Sequence, residues 1–584
     1  MRIDDLALLS DCRTAALTDR EGTISWFSPG RFDAPSIFGR LLDPKAGHWS
    51  IRPRTDAAVE RAYTDNGPIL QTTFRTAAGE VTLTDALALR PGLHGHQIDG
   101  GEVTHLVRHA ECLRGEMELE VDLAARPEYG LTRPHLVETA DGWELIGGPS
   151  PMRLITSIPH RPDDDGLRAS IRLSAGDSAS WILASGPHDG RSAADALRDT
   201  GAGWRSWQAS HDLLPGPHGE AMRRSAMVLQ ALTYAPSGVV VAAPTTSLPE
   251  RIGESWNWDY RFAWLRDLSF VVRALWVAAC PDEPQRYFDW IARALGRLDA
   301  DHVQIMFGVE GERDLSEHTL EHLAGFRDSR PVRIGNDAWQ QTQLDVPGEV
   351  LDSAHLMRDY LGERIRGPVA ETLIGLANHA ASSWRQPDFG MWEARDRARH
   401  YLSSKVMCWV ALDRAVSLAP RLGAEDRVAT WVAARDEVRA VVHDEGWNPD
   451  VRAFTGALGS DELDASVLLM PLVGIISGDD ERMRATVERI EERLATDRGV
   501  QRWADEGSGF VLCGFWLAEC LALLGERERA ESRFAATGAC ANDLGLMAEE
   551  VALDTGEPLG NFPQALSHVG LINAAWRLTE GEHS

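Results

Sequence analysis

The chain has 584 residues, 43% of them hydrophobic and 25% charged, a length beyond a single module and a composition that is globular rather than disordered or fibrous. Its 59 basic and 88 acidic residues leave a formal net charge of −29. That balance counts against a nucleic-acid surface, which needs clustered cations to displace phosphate counterions, and against a polybasic membrane anchor. The apolar run Val467–Ile476 contains Pro471 and is too short to span a bilayer. Asp4, Asp5 and Asp11 stand where a secretory leader would be apolar, and the seven cysteines are odd in number, scattered and without a C-x-x-C pair. A cytoplasmic location is expected, with no membrane and no nucleic-acid partner.

From the start of the chain, alternating segments recur between Gly, Pro and Asp turns: Gly22–Phe27, His48–Arg52, Glu80–Thr84, Glu102–Cys112, Glu116–Asp122 and Leu167–Leu173. Short strands at this spacing predict an antiparallel β-sandwich over residues 1–189. The pattern turns helical near Gly190–Ser210, and Leu214-Pro215-Gly216-Pro217 marks a boundary, so residues 190–217 read as a helical linker.

Residues 218–584 carry apolar positions at three- and four-residue steps. Helices are predicted over Gly219–Ala235, Tyr260–Ala279, Glu283–Leu298, Val346–Tyr360, Val369–Trp384 and Ser403–Leu418. Six more follow at Glu425–His443, Leu463–Ile476, Asp480–Leu494, Phe510–Leu524, Arg527–Ala539 and Pro563–Leu578. About twelve helices suit an α-solenoid or a closed double ring of hairpins, and the lack of a short repeat counts against the solenoid. The long connections Leu298–Val346 and Gln386–Ser403 are where function is expected.

Chemistry concentrates in few places. Asn257–Asp267 reads NWDYRFAWLRD, a mixture of aromatic rings with Asp and Arg ahead of an apolar helix. Aromatic faces stack on sugar C–H faces while Asp and Arg bond hydroxyls; a helix cap plus core tryptophans explains the same letters equally well. Glu393 follows Trp392 in a loop before a helix, and Glu549 stands in Leu546-Met547-Ala548-Glu549-Glu550. An indole beside Glu393, away from solvent, would favour its protonated form, as a general acid requires. Two carboxylates about 6.5–9.5 Å apart with a water between them form the apparatus of inverting glycoside hydrolysis. Taken singly, each is one of 88 acids, most of them solvated, and spacing alone does not pair them. His318-Thr319-Leu320-Glu321-His322 matches the inverted zinc-protease pattern but is short and sits in a charged loop, so no metal is expected there. Neither a P-loop nor a G-x-S-x-G elbow occurs.

Taken together, Asp11–Leu17, Arg31–Ser36, Thr246–Asp267, Val332–Asp352, Gly390–Arg414 and Ala548–Ala575 resemble, in order, the blocks of glycoside hydrolase family 15, the group of glucoamylases, glucodextranases and bacterial or archaeal trehalases. The resemblance implies a multidomain β + α chain, an N-terminal antiparallel β-sandwich followed by an (α/α)6 barrel. It also implies roles. Glu393 would be the general acid and Glu549 the base that activates water. Arg266 and Asp267 would grip the non-reducing glucose, Tyr260 and Trp264 would line its subsite, and Arg502 would be a second sugar-gripping arginine. Trp392 would pack on the acid and Ser567 would hydrogen-bond the base. Lys405, one of only two lysines, lies beside the Glu393 loop, where a compact ammonium is either required or merely on a helix surface. Pro347 and Asp396 depart from the family's pattern and leave the substrate open.

The leading expectation is an exo-acting, inverting α-glucoside hydrolase releasing β-glucose from short substrates such as isomaltose or small α-glucans, with α,α-trehalase as the rival. A phosphorylase would not need Glu549, and a silent sugar-binding protein would need neither glutamate, so both rank lower. Acid, base and water complete the reaction, so no metal or organic cofactor is expected. The partner is a small α-glucoside, and the oligomeric state is left open.

Overall fold

The computed structural model describes residues 1–64, 67–149, 151–210, 216–277, 284–296, 303–363 and 365–580. Leu214 and Pro215 of the expected boundary lie outside these, as do Cys280 and parts of the helices expected over 260–279 and 283–298.

The N-terminal part is antiparallel throughout. One sheet runs through strands 7–10, 15–18, 23–27, 48–53, then the far half of strand His105–Ala124, then 167–174 and 161–162. The other runs through 58–64, 69–75, 79–87, the near half of that long strand, then 178–184, 152–155, 142–146 and 135–139. The segments predicted as two strands, Glu102–Cys112 and Glu116–Asp122, are therefore halves of one strand that leaves one sheet and enters the other, a corner device of packed sheets. The crossing falls at Gly115, whose φ is 66° and where a Cβ would lie 2.0 Å from the Ala78 carbonyl oxygen. A glycine that reads as a strand terminator is here the hinge that lets the strand continue.

Helix α1 (Ala193–Ala209) follows, with Ser192 accepting the Asp195 amide at its N-cap. Twelve helices come after it among the described residues: α2 (Gly219–Ala231), α3 (Leu265–Val277), α4 (Pro284–Leu295), α5 (Val346–Leu356), α6 (Gly367–Ser383) and α7 (Leu402–Leu422). The rest are α8 (Val428–Glu445), α9 (Leu469–Val473), α10 (Glu481–Leu494), α11 (Val511–Leu523), α12 (Arg527–Gly538) and α13 (Ala565–Glu580). The odd-numbered helices from α3 onward pack each on the next, and α13 closes onto α3. The even-numbered ones lie outside them, so the double ring is an (α/α)6 barrel.

The two rings are legible in side chains. Every residue of α11 from Val511 to Leu521 is buried, as an inner helix requires. Outer α10 buries only Met483, Thr486, Val487, Ile490 and Leu494, a single stripe. Helix α9 is far shorter than predicted: a 3-10 turn over Ala465–Leu468 leads into it, and Gly474 at φ 84° ends it. Helix α3 starts five residues later than predicted, because the chain up to Trp264 is extended. Among the described residues no helix is long and apolar enough to cross a membrane.

The loop expected to carry function, Leu298–Val346, lines the main cavity nowhere in its described part. It clasps the sandwich instead: His322 Nε2 meets the Tyr129 carbonyl at 2.8 Å, the Ala324 amide donates to Asp43, and Glu310 and Glu312 pair with Arg31. His318 lies in a two-stranded ribbon, not on a helix, so it shares no helical face with His322, as a zinc motif would need.

Candidate active site

The segments leading into inner helices α3, α7, α9, α11 and α13 line one cavity of 1210 Å³ at that end of the barrel. Residues 257–264 build one wall. In extended chain successive side chains point to opposite sides, and here Trp258 and Tyr260 line the cavity while Asp259 and Arg261 turn away. Arg261 is 1% exposed, pairs with Asp259 at 2.7 Å, donates to the Ala34 carbonyl at 2.9 Å and lies over Trp26 and Tyr129 of the sandwich. The aromatic and charged residues of this segment thus divide into a cavity wall and a clamp between the two halves of the chain.

Glu393 stands in the loop before α7. Its Oε1 accepts the Trp264 indole N–H at 2.7 Å and lies 3.3 Å from Arg266 Nη1. Its backbone is left-handed, φ 57°, a conformation that costs a non-glycine residue about 1–3 kcal/mol and concentrates at working sites. The loop is held from several directions: Arg266 Nη1 donates to the Met391 carbonyl at 2.6 Å, and Gln341 Nε2 donates to the Ala394 carbonyl at 3.2 Å. Asp388 accepts from the Leu344 and Gly390 amides and from Ser404 Oγ at 2.6 Å, tying the loop to the starts of α5 and α7. Arg266 also donates through Nε to Asp267 at 2.8 Å, so Arg266 and Asp267 form one buried unit on the cavity wall.

Glu549 lies between α12 and α13 and is 4% exposed. Tyr260 Oη donates to its Oε1 at 2.9 Å, while Oε2 has no partner among the described residues. Gly560, at φ 79°, lies under this carboxylate, and a Cβ there would come within 3.0 Å of Oε2. Tyr260 and Trp264 are in edge-to-face contact at 5.6 Å, so a continuous path of two rings joins the carboxylate of Glu549 to that of Glu393. Burial, and then the nearby Glu250, hold the Glu549 carboxyl well above the usual carboxylate range; Arg502 and the Tyr260 hydroxyl oppose them.

Arg502, 7% exposed on the cavity wall, is surrounded by acids and rings. Its backbone and Nε both donate to Glu506, at 2.8 and 2.6 Å, and Nη2 is shared between Glu250 at 3.1 Å and Glu550 at 2.8 Å. Trp503 and Phe510 flank the guanidinium at 4.8 and 4.9 Å. Burial raises Glu506 and Glu550 as it does Glu549, and one cation serves all of them. A second acidic pair, Asp345 and Glu349, lies one turn apart at the start of α5, with none of its four oxygens hydrogen-bonded to a described donor. Burial lifts Asp345 to about 7 and Glu349 well above its usual range; the charges of Asp388 and Asp345 add to these lifts in turn, and Arg266 opposes both.

Eight of the residues singled out from sequence meet at this cavity: Glu393, Glu549, Tyr260, Trp264, Arg266, Asp267, Trp392 and Arg502. Three expected contacts are corrected. The indole on Glu393 is that of Trp264, acting as a hydrogen-bond donor; Trp392 instead donates to Asp464 at 2.9 Å and packs on Phe510 and Trp516. Ser567, on α13, donates to the Ala548 carbonyl at 2.7 Å, not to the carboxylate of Glu549. Lys405 does not line the cavity, nor is it on the surface: it is 1% exposed and its Nζ donates to the Gln386 carbonyl at 2.5 Å. It braces the Glu393 loop from beneath. Sequence reasoning missed Glu250, Glu550, Asp345, Glu349 and Asp388. Glu250, Asp345, Glu349 and Glu550 stand inside blocks already marked by the resemblance, but nothing in spacing separates a buried acid from a solvated one.

The comparisons with known proteins bear on this arrangement. The family model described as "Glycosyl hydrolases family 15" matches residues 216–528 and 526–576, and the "Trehalase-like, N-terminal" model matches residues 1–172. The chain belongs to glycosyl hydrolase family 15. This family 15 glycosidase is 36% identical to a trehalase of Mycolicibacterium smegmatis, over 99% of its own length and 92% of the relative's. An isomaltose glucohydrolase of Kribbella flavida matches at 25% identity, over 57% of this chain and 80% of that one. A bacterial glucoamylase solved with acarbose shares the fold at a TM-score of 0.72 and 12% identity, covering 99% of this chain and 94% of that one. The family 15 protein is thus an enzyme acting on a glycoside, built as a sandwich followed by a helical barrel.

Proposed function

We propose that this family 15 enzyme is an α,α-trehalase, hydrolysing the bond between two glucose units joined through their anomeric carbons. The observation that carries the reading is the match to a trehalase along both entire halves of the chain, where the isomaltose-cleaving relative matches little more than half of it. It replaces isomaltose and small α-glucans, the leading expectation from sequence, with the rival.

In this reading Arg266 and Asp267 hold the hydroxyls of the glucose whose anomeric carbon is attacked. Glu393 delivers a proton from its cavity-facing oxygen to the bridging oxygen, while Trp264 and Arg266 fix Oε1. Glu549, oriented by Tyr260, takes a proton from the attacking water. The carboxylates act on opposite faces of the sugar, so the attacked carbon inverts. The attacked glucose leaves as the β-anomer and the other keeps its α-configuration.

Incubating the protein with trehalose, isomaltose and maltose and following the anomers by NMR tests this directly. Trehalose as preferred substrate, with α- and β-glucose formed in equal initial amounts, is expected. Preference for isomaltose or maltose would restore the earlier reading, and two equivalents of α-glucose would rule out inversion.

The base must be ionised to work, and its pKa is raised, so kcat/KM is expected to fall as pH drops through a value well above the ordinary carboxylate range of about 4. Tyr260→Phe removes a donor to the ionised form and moves that acid limb further up. An unmoved limb in the Phe variant would show that the limb belongs to another group.

A further inference from the structure

Away from the cavity, three ligating side chains converge where the sandwich meets α1. His105 opens the long strand and lies in register opposite Ala184, the last residue of strand 178–184. His188 and Asp189 follow that strand in the loop entering α1. One ligand atom from each residue lies within 4.8 Å of the others, and the two imidazole rings are 5.5 Å apart. His105 is 6% exposed, and its Nε2 and the Nδ1 of His188 are both shut off from solvent without a hydrogen-bond partner. The other side of the His105 ring is bonded to the backbone of Val103. Asp189 is fixed by Arg191, whose amide donates to Oδ1 at 3.0 Å and whose Nε donates to Oδ2 at 2.7 Å.

We propose that His105, His188 and Asp189 bind a first-row divalent transition ion, zinc by preference. Two imidazole nitrogens and a carboxylate oxygen are a zinc donor set, and a fourth position falls to water. A ligating histidine characteristically has its second nitrogen bonded to a backbone carbonyl or carboxylate, which fixes ring and tautomer; His105 interacts with the Val103 backbone in this way, and its Nε2 is left without a partner. Asp189 is likewise oriented by bonds that leave lone pairs on both oxygens. Zinc–ligand bonds near 2.0–2.1 Å put tetrahedral ligands roughly 3.4 Å apart, so the ion draws the three atoms inward by about an ångström. His188 and Asp189 sit in a partly exposed loop that allows both entry and that movement. None of the three lines the cavity, so the ion's work is to fasten the α1 loop to the sandwich.

The test uses the full-length protein, stripped with chelator, dialysed and titrated with cobalt chloride and then zinc chloride. One equivalent of cobalt is expected to give the visible d–d bands of a four- or five-coordinate ion, lost on displacement by zinc, with a higher Tm in either metal. His105→Ala and His188→Gln are each expected to weaken binding at least about tenfold, with an unchanged circular dichroism spectrum. His188→Gln and Asp189→Asn, in the exposed loop, keep the test open if His105→Ala does not fold. Absence of saturable binding overturns the proposal, as does one equivalent retained at unchanged affinity by the His188 and Asp189 variants.

Discussion

Glu393→Gln and Glu549→Gln are each expected to lower turnover of trehalose by about 10²–10⁴-fold with the fold intact, since each removes a proton-transfer group while keeping its shape. The two losses should differ in kind. Glucosyl fluoride of α-configuration has a leaving group that needs no protonation, so Glu393→Gln should recover most of its rate on that substrate. Glu549→Gln should not, because the water still lacks its base. Steady-state kinetics on both substrates, with circular dichroism as a control for folding, provide the check. Near-wild-type rates on trehalose in either variant would remove that glutamate from its role, and equal rescue of both by the fluoride would cancel the division of labour.

The second large effect concerns stability as well as rate. Arg502 is the cation shared by Glu250, Glu506 and Glu550, all nearly or fully buried. Arg502→Met preserves much of the side-chain volume and removes the charge, leaving carboxylates in an apolar enclosure; breaking such a cluster by deleting one partner costs about 3–5 kcal/mol. The sign of the pH dependence follows. Without the arginine the folded-state pKa values of these acids rise further above their unfolded values. The protonated cluster is then tolerated at low pH, and stability is lost as pH rises through the raised values. Thermal unfolding at pH 5 and pH 8 should show a variant far closer to wild type at the lower pH. A Tm deficit of equal size at both would mean that packing, not charge, is what Arg502 supplies.

The architecture could be read from the sequence because its two periods are strong. The six alternating segments marked up to residue 189 fall on five strands, while strands such as 7–10, 58–64 and 178–184 are not marked; the twelve apolar helical stripes after it correspond to α2–α13, with ends displaced by a few residues where extended chain leads into α3 or where Gly474 cuts α9 short. The Gly115 hinge was not legible, since glycine terminates strands as readily as it bends them. Within the site, the residues that touch the cavity came from recognisable blocks, but their contacts did not. Trp392 precedes Glu393 in sequence, and adjacency suggested contact; Trp264, 129 positions away, makes it. Acids such as Glu349 and Glu550 escaped because burial is a property of the fold, and a glutamate in one dimension gives no hint of whether water reaches it.

The wall formed by residues 257–264 has a consequence for how such an enzyme can change. Its odd-and-even alternation gives the lining of the cavity and attachment of the two halves to neighbouring letters of the same short stretch. An insertion or deletion of a single residue there would exchange the two duties, turning the clamp toward the cavity and the rings toward the joint. New specificities are therefore reached more readily by remodelling other parts of the cavity lining, such as the segment around Asp505, than by shifting the register of this stretch.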